Sequence, residues 1–360
     1  MINQIEPSFD ESEKKALIEY MDSDGWLTEH KKTEELEKRI SEYTGSKYCV
    51  LVCNGTIALT TALLVHDISH EVLVPDYTMF ASATSVELAG AVPKFVDIER
   101  ETCCIDLNEI KKQYILDIQA IMLVSINGRY PSNVEEIIEF CHDRNILVIE
   151  DAAQSLGSFY KNKHIGRYGD IGCFSFSVPK IITTGSGGCL ITDDKEVYEK
   201  IKMLKNFGRK KSGIDNHEII GYNFKFTDIQ AVIGIEQMKK LPWRVKRKKE
   251  IYKLFMDHLS CVDDIEWINT NLKETTPWMI DILIENRDKL SEYLRKKEIG
   301  TRPFHPAIHT QNPYYFKYGR KYPISSYISE HGLWLPSSTI LTDENIEYIC
   351  DTITKYYEKS

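Results

Sequence analysis

The sequence predicts an α/β chain: a large domain with a mostly parallel sheet, followed by a smaller α+β domain. Three observations carry this. Strand-like and helix-like runs alternate from residue 48 to residue 207, as in parallel strands joined by crossover helices. One of them, ILVIED at 146–151, is almost continuously apolar, as expected of a strand covered on both faces. After residue 258 the texture changes to a few separated strands around an aromatic, proline-rich stretch. The expected division is a large domain over 1–245, with an N-terminal helical segment, and a small domain over 246–360.

The elements follow in order. Residues 8–22 form an amphipathic pattern with acidic residues in the first turn, broken at Asp24-Gly25. Trp26 lies in the short extended piece after that break, and a second helix over 32–44 stops at Gly45. The run 48–53, the turn Asn54-Gly55-Thr56 and the helix 57–65 make a strand, a capped turn and a helix. Free N–H groups of such a first turn attract an anion. Many αβ turns look alike, however, and this one lacks the six-residue glycine fingerprint of dinucleotide folds.

Strands are predicted at 71–75, 91–97 and 119–124, with helices from Ala81 and over 133–144. The strand 146–151 ends in two carboxylates, and ligands of open α/β sheets bind at the carboxyl ends of strands. Asp151 stands at that position, although an N-capping role for the next segment explains an aspartate there equally well.

Lys180 is the lone lysine of the stretch 173–188, among apolar, small and hydroxylic residues. In such a setting its pKa can fall far enough for the amine to attack a carbonyl. A lysine snorkelling from a strand end is the competing explanation. A strand at 189–192, a helix over 194–207 and a polar loop at 208–218 follow. The segment 221–228 then enters an apolar helix, 229–238, that Pro242 is expected to break, before a charged helix to residue 258. The small domain is expected to hold strands at 265–268 and 279–284 and helices at 288–297 and 343–357, with a functional loop over 302–322 between them.

Composition bounds the function. With 42% hydrophobic and 28% charged residues the chain is globular. A net charge of −9 argues against nucleic acid or an anionic membrane as partner. The one dense basic run, 243–249, reads as a solvated helix face. Nine scattered cysteines without a CxxC pair suggest neither a zinc site nor a disulfide framework, and with no visible targeting segment the expected compartment is the cytoplasm.

The anion turn, the strand-end aspartate, the lone lysine and a serine five residues before it form a complementary set. A pyridoxal phosphate site needs these parts: a lysine, a carboxylate for the pyridine nitrogen, and amides and hydroxyls for the phosphate. The motifs CNGTIALTTAL (53–63), VPDYTMFASA (74–83), GAVPKFVDIE (90–99), VIEDAAQSLGSFYKNKHIGRYGDIGCFSF (148–176), PKIITTGSGG (179–188) and GYNFKFTDIQAVIG (221–234) carry a resemblance. They resemble the DegT/DnrJ/EryC1/StrS family of sugar aminotransferases, pyridoxal phosphate enzymes of fold type I with a seven-stranded sheet. The segment IGTRPFHPAIH (299–309) is most similar to perosamine-synthase-type members. Those members move the amino group of L-glutamate, leaving 2-oxoglutarate, to the C4 keto carbon of a nucleotide-linked 4-keto-6-deoxyhexose of the GDP-perosamine or viosamine type.

The resemblance implies roles residue by residue. Lys180 matches the Schiff-base lysine and proton shuttle, Asp151 the pyridinium partner, and Gln154 the residue near the ring hydroxyl. Gly55 and Thr56 match the phosphate-binding turn and Ser175 the phosphate-binding hydroxyl. Asn223 matches an asparagine that reaches the neighbouring subunit's phosphate, which implies a homodimer with shared active sites. At the ring-stacking position, often aromatic in the family, stands Met79, whose thioether can cover a π face. Where many members have His-Leu-Tyr-Gly, this chain has Ser125-Ile126-Asn127-Gly128-Arg129. The similar sugar 3-dehydratases have histidine at the Schiff-base position, whereas this chain has Lys180.

Arg302, His305 and Trp26 are the candidates for substrate binding, against a surface charge, a packing histidine and a core tryptophan as alternatives. A C3-ketosugar aminotransferase, or a non-catalytic sugar-nucleotide-binding regulator, is the alternative function.

Overall fold

The computed structural model describes residues 1–358 apart from 115–116, 212 and 316–321, so part of the expected loop over 302–322 lies outside the described residues. Strands are numbered in chain order: β1 (Tyr48–Val52), β2 (Glu71–Pro75), β3 (Val92–Val96), β4 (Ile118–Val124) and β5 (Leu147–Asp151). A two-residue hairpin, β6 (Phe159–Tyr160) and β7 (Lys163–His164), precedes β8 (Ile171–Ser175) and β9 (Gly188–Thr192). The C-terminal part of the chain adds β10 (Ile265–Trp267), β11 (Ile280–Ile284), β12 (Arg302–Pro303) and β13 (Gly332–Leu335).

The large sheet has seven strands in the order β1-β9-β8-β5-β4-β2-β3. Pairings from β8 through β3 are parallel, while β9 runs antiparallel to both β1 and β8. The apolar runs read from the sequence explain the parallel centre, because β4 and β5 are covered on both faces by separate hydrophobic clusters. Met122 and Ile149 face one cluster, Ile121 and Val148 the other. A third cluster, with Ile282, Leu290 and Ile349, packs around an antiparallel sheet ordered β10-β11-β13-β12.

Two local expectations change. The first helix begins at Glu11, because Asp10 caps it and exchanges hydrogen bonds with the first turn in a capping box. Pro242 does not end its helix, which runs unbroken over Asp228–His258. A proline there removes one backbone bond and crowds the preceding turn. Flanking contacts hold the helix through it: Leu241 is buried, and Arg244 donates to Ile181 O at 2.8 Å and Ser8 O at 2.7 Å. The strands β12 and β13 and the helices Leu107–Gln113 and Pro323–His331 escaped sequence reasoning. Among the described residues no helix is long and apolar enough to cross a membrane.

Candidate active site

The carboxyl ends of β5 and β8 and the turn after β1 converge. Asn54 caps the helix Gly55–Val65, its Oδ1 accepting from Ile57 N at 2.9 Å. The N–H groups of Gly55 and Thr56 lie in that first turn, where a helix provides no acceptor. The turn is pressed against the neighbouring strand ends. A Cβ on Gly55 would lie 2.7 Å from Ser175 Cβ, and one on Gly188 would lie 2.6 Å from Asn54 O. Only glycine fits at either position, and Ser175, the last residue of β8, is thereby brought beside the two free amides.

Asp151, the last residue of β5, is buried. Ser82 Oγ donates to its Oδ2 at 2.7 Å and Ala153 N to its Oδ1 at 3.2 Å. Burial pushes this carboxyl above the usual range, while those donors and the charge of Lys180 pull it back. Lys180 follows β8 on a turn closed by its own N–H donating to Ser177 O at 3.0 Å. The residue is half-buried. Burial brings its pKa down to about 8, opposed by Asp151. Trp278 covers one side of it, with Nζ 4.1 Å from the ring centroid.

Gln154 shares this pocket, which Ser155, Ser175, Lys180, Thr276 and Trp278 also line. Its Oε1 accepts from Asn127 N at 2.7 Å, so its NH2 group is left to face elsewhere. Met79 is half-exposed at the entry to the helix Ala81–Leu88, the helix that brings Ser82 to Asp151.

The substrate candidates divide. His305 packs edge-on against Trp334 at 4.8 Å, and Arg302 lies over the same ring at 5.6 Å. Trp334 in turn meets Trp278 at 5.6 Å, so both residues join the aromatic wall of Lys180. Buried His305 Nε2 has no hydrogen-bond partner among the described residues. Burial, aided by Arg302 and Lys180, pushes His305 down to about 3, so its imidazole is neutral. Trp26 is not brought to this place within the chain. It is exposed and lines a separate cavity with Glu29, His30, Lys205 and Arg209. Asn223 is also exposed, paired through the backbone with Asn206, while the next residue's carbonyl accepts from Cys53 N at 3.1 Å.

Sequence reasoning missed Ser82, Trp278, Trp334 and the role of Asn127. For Trp278 the available signal was weak: an aromatic residue just before a predicted strand.

These residues fit pyridoxal phosphate. The glycine cradle and the free amides suit a phosphate, the buried carboxyl suits a protonated ring nitrogen, and the pocket-lining amine suits a carbonyl. A lysine just past β8 and a buried carboxylate at the end of β5, in a sheet of this topology, make up a pyridoxal phosphate site. Comparison with known proteins narrows the class. The chain belongs to the DegT/DnrJ/EryC1/StrS aminotransferase family, whose model matches residues 7–354. It is 35% identical over 357 residues to the GDP-perosamine synthase of Escherichia coli O157:H7, covering 98% of this chain and 97% of that protein. Identity to the GDP-perosamine synthase of Vibrio cholerae is 30% over 367 residues, 99% of each chain. Among solved structures, the aminotransferase TlmJ from Streptoalloteichus hindustanus matches with a TM-score of 0.94 over 100% of this chain and 99% of that one. At 24% identity that likeness is one of fold.

Proposed function

We propose that this chain transfers the amino group of L-glutamate to the C4 keto carbon of a nucleotide-linked 4-keto-6-deoxyhexose of the perosamine type. The observation that carries the catalytic half is Lys180 placed between the Trp278 ring and the charge of buried Asp151. The full-length similarity to two GDP-perosamine synthases supports the sugar.

Lys180 Nζ is the covalent anchor and the group that takes and returns the substrate proton, a task suited to an amine near neutral pKa. Asp151 holds the proton on the ring nitrogen, with Ser82 keeping the carboxylate oriented. Gly55, Thr56 and Ser175 bind the phosphate, Gln154 turns its NH2 group to the ring hydroxyl, and Met79 covers the ring face. Pyridoxal phosphate, when bound, supplies the electron sink that makes the amino-bearing carbon acidic. Arg302 and His305 bind the sugar nucleotide, Arg302 through its charge and neutral His305 through its unpartnered Nε2.

Exposed Asn223 and Trp26 serve the site of a second copy, in a cytoplasmic homodimer with shared active sites. The chain divides into a large domain over 1–245 and a small domain over 246–360, joined within the helix Asp228–His258. Turnover with glutamate and a panel of GDP-, UDP- and dTDP-linked 4-keto-6-deoxy and 3-keto sugars, read by mass spectrometry, tests it. Amination at C4 is expected. Amination confined to 3-keto sugars, or none, contradicts it.

A further inference from the structure

Among the described residues Lys180 Nζ makes no hydrogen bond, and the residue lines the pocket shared with Gln154 and Ser175. What it has instead is the face of the Trp278 ring at 4.1 Å and the charge of Asp151. The indole is fixed in that place from several directions. Its Nε1 donates to Pro179 O at 2.7 Å, which ties the ring to the residue preceding the lysine. Trp278 O accepts from Lys248 Nζ at 2.6 Å, and Lys248 also donates to Ser337 O.

The flanking residues are pinned as well. Asn127 accepts from Met279 N at 2.7 Å and donates to Met279 O at 3.0 Å. Thr276 N donates to Ser158 Oγ at 2.9 Å, and Thr276 Oγ1 donates to Gly157 O at 2.7 Å. Residues 276–279 are therefore a hydrogen-bonded strap that lays one aromatic face, rather than an edge, against the lysine.

We propose that Trp278 is a positioning residue whose π face is the seat of the Lys180 ammonium, holding the amine in place and favouring its protonated form. This rests on Lys180 being the reactive lysine. The other charged or titratable groups around it are Asp151 at the end of β5, His305 and Arg302 reached through Trp334, and Lys248 behind the Trp278 backbone. Burial and the ring act in opposite senses. Burial disfavours the charge, while a cation over an indole face is attracted by the ring quadrupole.

The test keeps shape and water exclusion constant. Full-length chain is produced with its tryptophans replaced by trifluorotryptophan, which retains the indole N–H but weakens the quadrupole. Competitive acetylation of Lys180 against pH is then read by peptide mass spectrometry, on cofactor-free chain and on enzyme loaded with pyridoxamine phosphate. The labelling midpoint should fall by about one pH unit, a tenfold change in the free amine below it. In Trp278→Phe chain, fluorination should cause no such fall. An unmoved midpoint in the fluorinated native chain overturns the proposal, and so does an equal fall in Trp278→Phe. If that variant does not fold, the fluorinated native chain decides alone. No turnover is needed, so failure here is separate from failure to aminate a ketosugar.

Discussion

Ser82 Oγ donates to Asp151 Oδ2 at 2.7 Å, and Thr78 Oγ1 lies 2.9 Å behind it. The donor comes from the helix Ala81–Leu88 and the acceptor from the end of β5, so two crossover units meet at the carboxylate. Burial raises the Asp151 pKa, and this bond is the largest influence that lowers it again. Ser82→Ala should therefore raise it further and weaken pyridoxal phosphate binding about tenfold, the scale of a hydrogen bond to a charged group. Equilibrium titration should show a larger deficit in mildly acidic than in mildly alkaline buffer. Equal affinity in both enzymes would count against the role of Asp151.

Gly55→Ala tests the phosphate cradle. Its new Cβ would stand 2.7 Å from Ser175 Cβ, closer than packed carbons tolerate. The turn must open, which costs about 1–3 kcal/mol of stability and moves the two amides off the phosphate. Cofactor affinity should fall by at least about tenfold while far-ultraviolet dichroism stays native-like. Native affinity would show that the phosphate binds elsewhere.

His309 supplies a pH dependence of stability. Its Nδ1 lies 2.6 Å from Asp76 Oδ2 and its backbone N–H donates to Asp76 Oδ1 at 2.9 Å. The Asp76 hydrogen bond raises the His309 pKa above its ordinary 6.5. A raised histidine stabilises fully below its unfolded pKa, and the contribution is lost as pH rises through the folded one. As pH rises from mildly acidic to alkaline, the native chain should lose more stability than His309→Gln. Parallel curves from chemical denaturation would contradict the pairing.

How far the sequence revealed this site depends on how local each signal is. The turn at 54–56, Asp151 and Lys180 were legible because each sits at a strand end, and strand ends are marked by apolar runs of period-free burial. Trp278, Trp334 and Asn127 were not. Lys180 and Trp278 meet through a fold that brings together segments about a hundred residues apart in the chain, and nothing near Trp278 in the sequence announces it. The departure at 125–129 has a physical sense only in three dimensions. Asn127, with φ of 53°, clamps Met279, and Arg129 forms a buried ion pair with Asp281 at 2.6 Å. Both tie the β4 end to β11. Pro242 failed as a helix breaker for the same reason, since packing on both sides outweighs a local preference.

The most direct test of the central claim is covalent. Holoenzyme reduced with borohydride, digested and mapped by mass spectrometry should carry the phosphopyridoxyl group on Lys180 alone, and Lys180→Arg should carry none. Glutamate added before reduction should prevent the labelling, because the amine form of the cofactor is free of the lysine. A label on any other lysine, or labelling that glutamate leaves unchanged, would contradict Lys180 as the lysine that carries pyridoxal phosphate in transamination.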